Sequence, residues 1–221
     1  MWRTRVIALI FSWTILGLPV SAHSEEPAVG TFDIPEECQQ VVLVYPTDDG
    51  YAVDLITYDE GREHREQFAQ CSIGHGGIAP LGHKREGDGR TPEGVYPLRR
   101  GLCYVSDFYS RFPMEQYDEN DMWSEDPTSP DYNTLVRDPQ PEYEGDRLWE
   151  RRETLYRYIV VVEYNTEPIV AGAGSAIFIH AWRSQGQPTA GCIGMEEKNV
   201  RQLVEWLDVD KHPHIVILNE E

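Results

Sequence analysis

Short runs of β-branched and aromatic residues, each cut off by proline, glycine or acidic turn residues, govern what this chain can build. Val41-Val42-Leu43-Val44-Tyr45 stops at Pro46, Asp48-Asp49-Gly50 makes a turn, and Tyr51 to Tyr58 alternates, which predicts a hairpin. Ile159 to Val162 is apolar at four successive positions within a strand predicted over 157–164, the pattern of a strand buried on both faces. Further strands are predicted over 67–73, 94–98, 175–182 and 214–218. Only one stretch has the helical period. Val200, Leu203, Val204 and Leu207 fall at i, i+3, i+4 and i+7, with Glu196, Glu197, Lys198, Arg201 and Glu205 on the other face. The acids occupy the first turn, where the helix dipole favours them, and Pro213 lies shortly past the end. The expectation is a mainly β (β-rich α+β) domain with one amphipathic helix.

A length of 221 residues with 11% aromatics supports one sizeable core, placed here at 38–219. Between Glu115 and Glu153 the composition shifts to thirteen acids and four arginines, interleaved with Trp123, Tyr132, Tyr143 and Trp149. That aromatic load is too high for a linker. The segment of about 101–155 is expected to be a loop-rich insertion over one end of the sheet, either a lid or an acidic solvated loop anchored by its aromatics. Over the whole chain 38 acids face 19 basic residues, a net charge of −19, which argues against nucleic-acid or anionic-membrane partners.

The first residues have the form of an export signal. Arg3 and Arg5 precede an apolar stretch over 6–20, and Val20-Ser21-Ala22 offers a small-residue cleavage site. The stretch is short for a bilayer span and carries Pro19, so cleavage near Ala22, a polar leader over 23–37, a periplasmic location and no stable membrane insertion afterwards are expected. Losing the two arginines takes the formal charge to −21. In an oxidising compartment Cys38, Cys71 and Cys103 have one bridge available among them if Cys192 stays reduced.

The chemistry concentrates in one stretch. His180 ends an apolar strand; a polar loop follows; Cys192 then sits after Gly191 and ahead of the helix. A thiolate is the nucleophilic form of cysteine, and an imidazole or helix N-terminus nearby lowers its pKa. A histidine at a strand end can take the thiol proton and return it to a leaving amine, provided its second nitrogen is held; the Ala181 carbonyl is the nearest holder. Gly191 allows backbone N–H groups to turn inward as an oxyanion hole. No paired metal-ligand spacing and no G-x-S-x-G elbow occurs, so neither a metal nor a serine nucleophile is called for.

This stretch resembles the catalytic motif of the L,D-transpeptidases, in which a strand histidine precedes [Ser/Thr]-His-Gly-Cys. Lys84 to Gly94, with Thr91-Pro92-Glu93-Gly94, resembles the family's upstream segment, and Tyr132-Asn133, Tyr164-Asn165 and Gly174 to His180 are similar to a compact exported branch. The resemblance spans roughly 38–219. It implies a YkuD-like β-sandwich or barrel-like domain, with Cys192 as nucleophile, His180 as general base, the Ala181 carbonyl as its orienter, and the amides of Gly191 and Cys192 as the oxyanion hole. The implied partners are peptidoglycan stem peptides, joined through a thioester acyl-enzyme in cell-wall synthesis and cell-shape maintenance, without a cofactor.

Three departures accompany the match: Ala190 replaces the motif's second histidine, Gly194 stands where Arg or Asn is common, and eleven residues separate His180 from Cys192. Such changes are associated with a first-residue (1,3-type) donor. Arg85 and Arg90 are candidates for stem carboxylates, Trp182 and Arg183 for lining the groove, and Trp123 for a lid. An L,D-carboxypeptidase or endopeptidase on the same dyad, and a non-catalytic wall-binding module, are the competing readings.

Overall fold

In the computed structural model, which describes residues 4–6, 32–60, 62–106, 108–137, 139 and 144–219, the hairpin forms around the expected turn. Gln40–Thr47 (β1) and Gly50–Asp59 (β2) pair antiparallel, with Thr47 opposite Gly50. Gly50 has a φ of +127°, which an L side chain rarely adopts. Arg62–Cys71 (β3) continues the meander and carries mostly exposed polar side chains.

Gly94–Cys103 (β4) runs longer than the sequence predicts and serves two partners. Its first half pairs with His214–Ile217 (β9) and its second half with Tyr158–Val162 (β6), while Met114–Gln116 (β5) lies parallel to its end. Phe178–Ala181 (β7) pairs antiparallel with β6, and Ile193–Met195 (β8) runs parallel to β7. The strand order is β8-β7-β6-β4-β9-β1-β2-β3.

The two ends of that path meet. Ser72, just past β3, and Gly194 in β8 exchange two backbone hydrogen bonds of 2.8 Å, so the curled sheet is closed at one narrow seam. This is the barrel-like, β-rich domain expected of the sequence. The helix Glu197–Trp206 (α1) lays Val200, Leu203 and Val204 into the core, with Leu207 just beyond its end, and each is completely buried. Burial of such a side chain is worth roughly 1.5–3 kcal/mol.

The described residues of the insertion build a small sheet of their own. Asp121–Ser124 pairs with Leu135–Arg137 on one side and Gly145–Asp146 on the other, followed by a short 3-10 turn at Leu148–Arg151. Trp123, with Leu148, Leu155 and Tyr156, joins a second core cluster against Phe178 and Cys192. A separate two-stranded ladder joins Thr4–Val6 to Asp33–Pro35. The rest of the predicted export signal lies outside the described residues.

No disulfide joins Cys38, Cys71, Cys103 and Cys192, so the bridge available to the first three is not made. The Cys38 and Cys103 thiols are buried in different clusters, and each donates to a carbonyl two residues on, Gln40 and Val105.

Candidate active site

Parallel pairing of β7 and β8 brings the dyad together. Ile179 sits opposite Ile193, and both side chains enter the main core. Strand alternation therefore sends Phe178, His180 and Cys192 to the other face. Cys192 and His180 line the same cavity, of about 460 Å³, and both are buried.

His180 is oriented as the sequence predicts. Its Nδ1 lies 2.7 Å from the Ala181 carbonyl, which can only accept, so Nδ1 carries the hydrogen and Nε2 is left as the acceptor. The Tyr156 ring packs edge-on against the imidazole at 5.2 Å between centroids. Burial lowers the imidazole's pKa to about 4, with the Ala181 bond working against the shift and the charges of Arg151 and Arg183 adding to it.

The cysteine differs from expectation in two respects. A three-residue strand, Ile193–Met195, separates Cys192 from α1, so no helix N-terminus adjoins the sulfur. Burial then pushes the thiol up to about 12, although the Phe178 N–H on the sulfur favours the charged form. At neutral pH the pair is a thiol beside a neutral imidazole. The S–H donates to the Ala176 carbonyl at 3.1 Å. Ala176 itself has a φ of +53° and is held there by its N–H bond to Asn133 Oδ1 at 3.0 Å, a strained residue against the Cys192 sulfur.

Gly191 is required for its conformation, with a φ of +143° and no room for a Cβ, which would lie 2.9 Å from the Arg90 carbonyl. Its N–H, which an oxyanion hole needs free, is already engaged. It donates to Thr189 Oγ1 at 3.1 Å, while that hydroxyl donates to the Cys192 carbonyl at 2.6 Å. The upstream segment braces the same loop: the Thr91 hydroxyl donates to the Gly191 carbonyl at 2.8 Å and accepts from the Gly74 N–H at 2.9 Å. Gly194 has no space for a side chain either, since a Cβ would meet Ser72 Oγ at 2.8 Å. The seam explains that departure from the motif.

The remaining candidates divide. Trp182 and Arg183 line the cavity, as does Ala190. Arg85 and Arg90 do not: both are exposed, and the Arg85 guanidinium is taken up by the carbonyls of Gly82 and Lys84. Trp123 is not a lid. It is 1% exposed, packs edge-on against Phe178, and donates its indole N–H to Asn133.

The cavity's charged wall comes from residues that the sequence did not single out. Lys84 and Glu86 come from the upstream segment; Glu125, Asp146 and Arg151 come from the insertion. Glu86 accepts from Ser175 Oγ at 2.7 Å and from the Tyr132 hydroxyl, which ties the insertion to the strand leading to His180. Asp146 Oδ2 accepts from Tyr156 at 2.6 Å and Arg151 at 2.9 Å. Nothing in the insertion's spacing marks these groups; its aromatic load predicts order without saying which acids turn inward.

A comparison with curated proteins found no match to the chain. A comparison with family models matched residues 39–217, from one residue before β1 to the last residue of β9, to the L,D-transpeptidase catalytic domain. With the histidine and cysteine of that motif brought onto one cavity wall, this chain belongs to the L,D-transpeptidase family.

Proposed function

We propose that the protein is an exported, periplasmic L,D-transpeptidase that cross-links peptidoglycan stem peptides through a thioester on Cys192. The observation that carries this reading is a buried thiol sharing a cavity with an imidazole whose tautomer is set by the Ala181 carbonyl. The signal-like sequence over 1–22 supports export.

Because burial disfavours the thiolate, the S–H proton moves to His180 Nε2 as sulfur bonds to the donor carbonyl carbon. The tetrahedral oxygen is stabilised by the Cys192 amide, the motif donor that remains once the Gly191 N–H is bound to Thr189. The His180 proton then leaves with the departing amine, and a thioester stays on Cys192. An amine of a second stem resolves it into a new amide. Trp182 and Arg183 at the mouth suit the donor's chain and a carboxylate. The first stem residue is the donor position to test beside the third.

Purified protein incubated with muropeptide monomers is expected to yield dimers, with an acyl adduct on Cys192 visible by intact mass. Dimers made equally well by Cys192→Ala would refute the assignment. Trimmed stems without dimers would select a carboxypeptidase or endopeptidase on the same dyad. Absence of any adduct with stem peptides or acylating β-lactams would select a wall-binding module.

A further inference from the structure

The wall contributed by the insertion holds two carboxyl groups, of which, among the described residues, only Asp146 is ion-paired, through one oxygen. Asp146 lines the cavity, is 7% exposed, and has an Oδ1 with no hydrogen-bond partner among the described residues. Such an atom costs free energy unless something completes it. Glu125 lines the same cavity, and among the described residues no side chain hydrogen-bonds its carboxylate. Of the cavity's cations, Arg151 is paired with Asp146 Oδ2 and Lys84 with Asp88 at 2.7 Å, while Arg183 at the mouth makes an ion pair with neither acid.

Resting on the transpeptidase reading, we propose that Glu125 and Asp146 bind the ammonium group of the acyl acceptor beside Cys192, and that Glu125 takes its proton. An acceptor amine is an ammonium at neutral pH and has no lone pair to attack with. An ammonium has three N–H donors and no acceptor, which suits Asp146 Oδ1 and the Glu125 carboxylate.

The proton count closes. The ammonium gives one proton to Glu125, and the freed nitrogen lone pair bonds to the thioester carbonyl carbon. The adduct passes its second nitrogen-bound proton to His180 Nε2 and expels the Cys192 thiolate, which His180 reprotonates. Glu125 releases its proton to solvent.

Burial, then the charges of Asp146 and Glu86, raise the Glu125 carboxyl to about 7, with Arg151 opposing, so it exchanges a proton near neutrality. Lys84, Tyr156, His180, Arg183 and Cys192 are the other charged or titratable groups on this cavity.

The test uses the mature chain, a stem-peptide donor, and two acceptors: a stem peptide with a free side-chain amine, and hydroxylamine, which is uncharged at neutral pH. Glu125→Gln is expected to form the Cys192 adduct no more slowly than wild type, since the lost charge is one that raises the thiol, to transfer it to the peptide amine at least tenfold more slowly, and to transfer it to hydroxylamine unchanged. Glu125→Asp should recover part of the loss. In the wild type, transfer to the peptide amine should fall as pH drops from about 8 to about 6.5, through the Glu125 value, while transfer to hydroxylamine, still mostly uncharged there, does not, a readout independent of any variant's folding.

Equal losses with both acceptors, no loss with either, or matching pH profiles overturn the inference and leave the acyl-enzyme reading intact. A wild type that forms no adduct overturns both.

Discussion

At the scale of single residues, protonation of the dyad is the main finding. In the proposed reaction, a neutral thiol beside a neutral imidazole gives up its proton during attack and does not wait as a thiolate. Alkylation of Cys192 by iodoacetamide, read against Cys192→Ala, should therefore still be rising at pH 9 instead of levelling off near neutrality. Since His180 stays unprotonated down to about 4, adduct formation should persist at pH 5.5, where an ordinary imidazole is mostly charged. An acid limb near 6.5 would count against this. Gly191→Ala places a Cβ against the Arg90 carbonyl at a φ of +143°; it should cost about 1–3 kcal/mol in urea denaturation and slow adduct formation. A variant of wild-type stability would mean that the loop relaxes freely. His180, Cys192 and the Ala181 carbonyl were legible in the sequence because strand end, glycine and cysteine are local signals. The direction of the thiol's shift was not, because burial is set by the sheet and insertion that cover it.

At the scale of elements, the cysteine loop is held from outside. Thr91, in the two-residue strand Thr91–Pro92 that pairs with Ile78–Ala79, bonds both Gly74 and Gly191 through one hydroxyl. Thr91→Val keeps the shape and leaves a buried N–H and a buried carbonyl without that partner. It should lose roughly 2–4 kcal/mol in urea denaturation and lower the acylation rate. A change of under 0.5 kcal/mol would mean that the hydroxyl is dispensable. The resemblance of Lys84 to Gly94 to the family's upstream segment thus has a physical role: it braces the loop that carries Cys192, while the Arg85 and Arg90 side chains lie outside the cavity. Spacing alone favoured those arginines because a guanidinium suits a carboxylate, but the Arg85 guanidinium is held by two backbone carbonyls. Asn133 shows the same logic in the insertion, bonding Trp123, Ala176 and the carbonyls of Tyr164 and Asn165.

At the scale of the whole molecule, the closed sheet and the insertion bury acids in a chain of net charge −19. The Glu125 carboxyl, raised to about 7 from an ordinary 4.5, holds a proton in the folded protein where the unfolded chain has released it. Its contribution is complete below the unfolded value and is lost as pH climbs to 7. Relative to wild type, Glu125→Gln should thus gain on the order of 3 kcal/mol or less between pH 4.5 and 8 in denaturant titrations, and nothing further above 8. A constant difference across that range would exclude the buried carboxyl as the cause.

By itself the sequence determined the periodicities: the hairpin, the doubly buried β6, the one amphipathic helix, and the order of histidine, glycine and cysteine. Those are properties of neighbouring residues and of backbone stereochemistry. Only the tertiary structure decided where the sheet closes, why a side chain at position 194 would collide with Ser72, which acids of the insertion share a cavity with the sulfur, and that the buried cysteines stay unbridged. Each of these depends on which distant segments exclude water from a given atom, and solvation at that range is written in packing rather than in spacing along the chain.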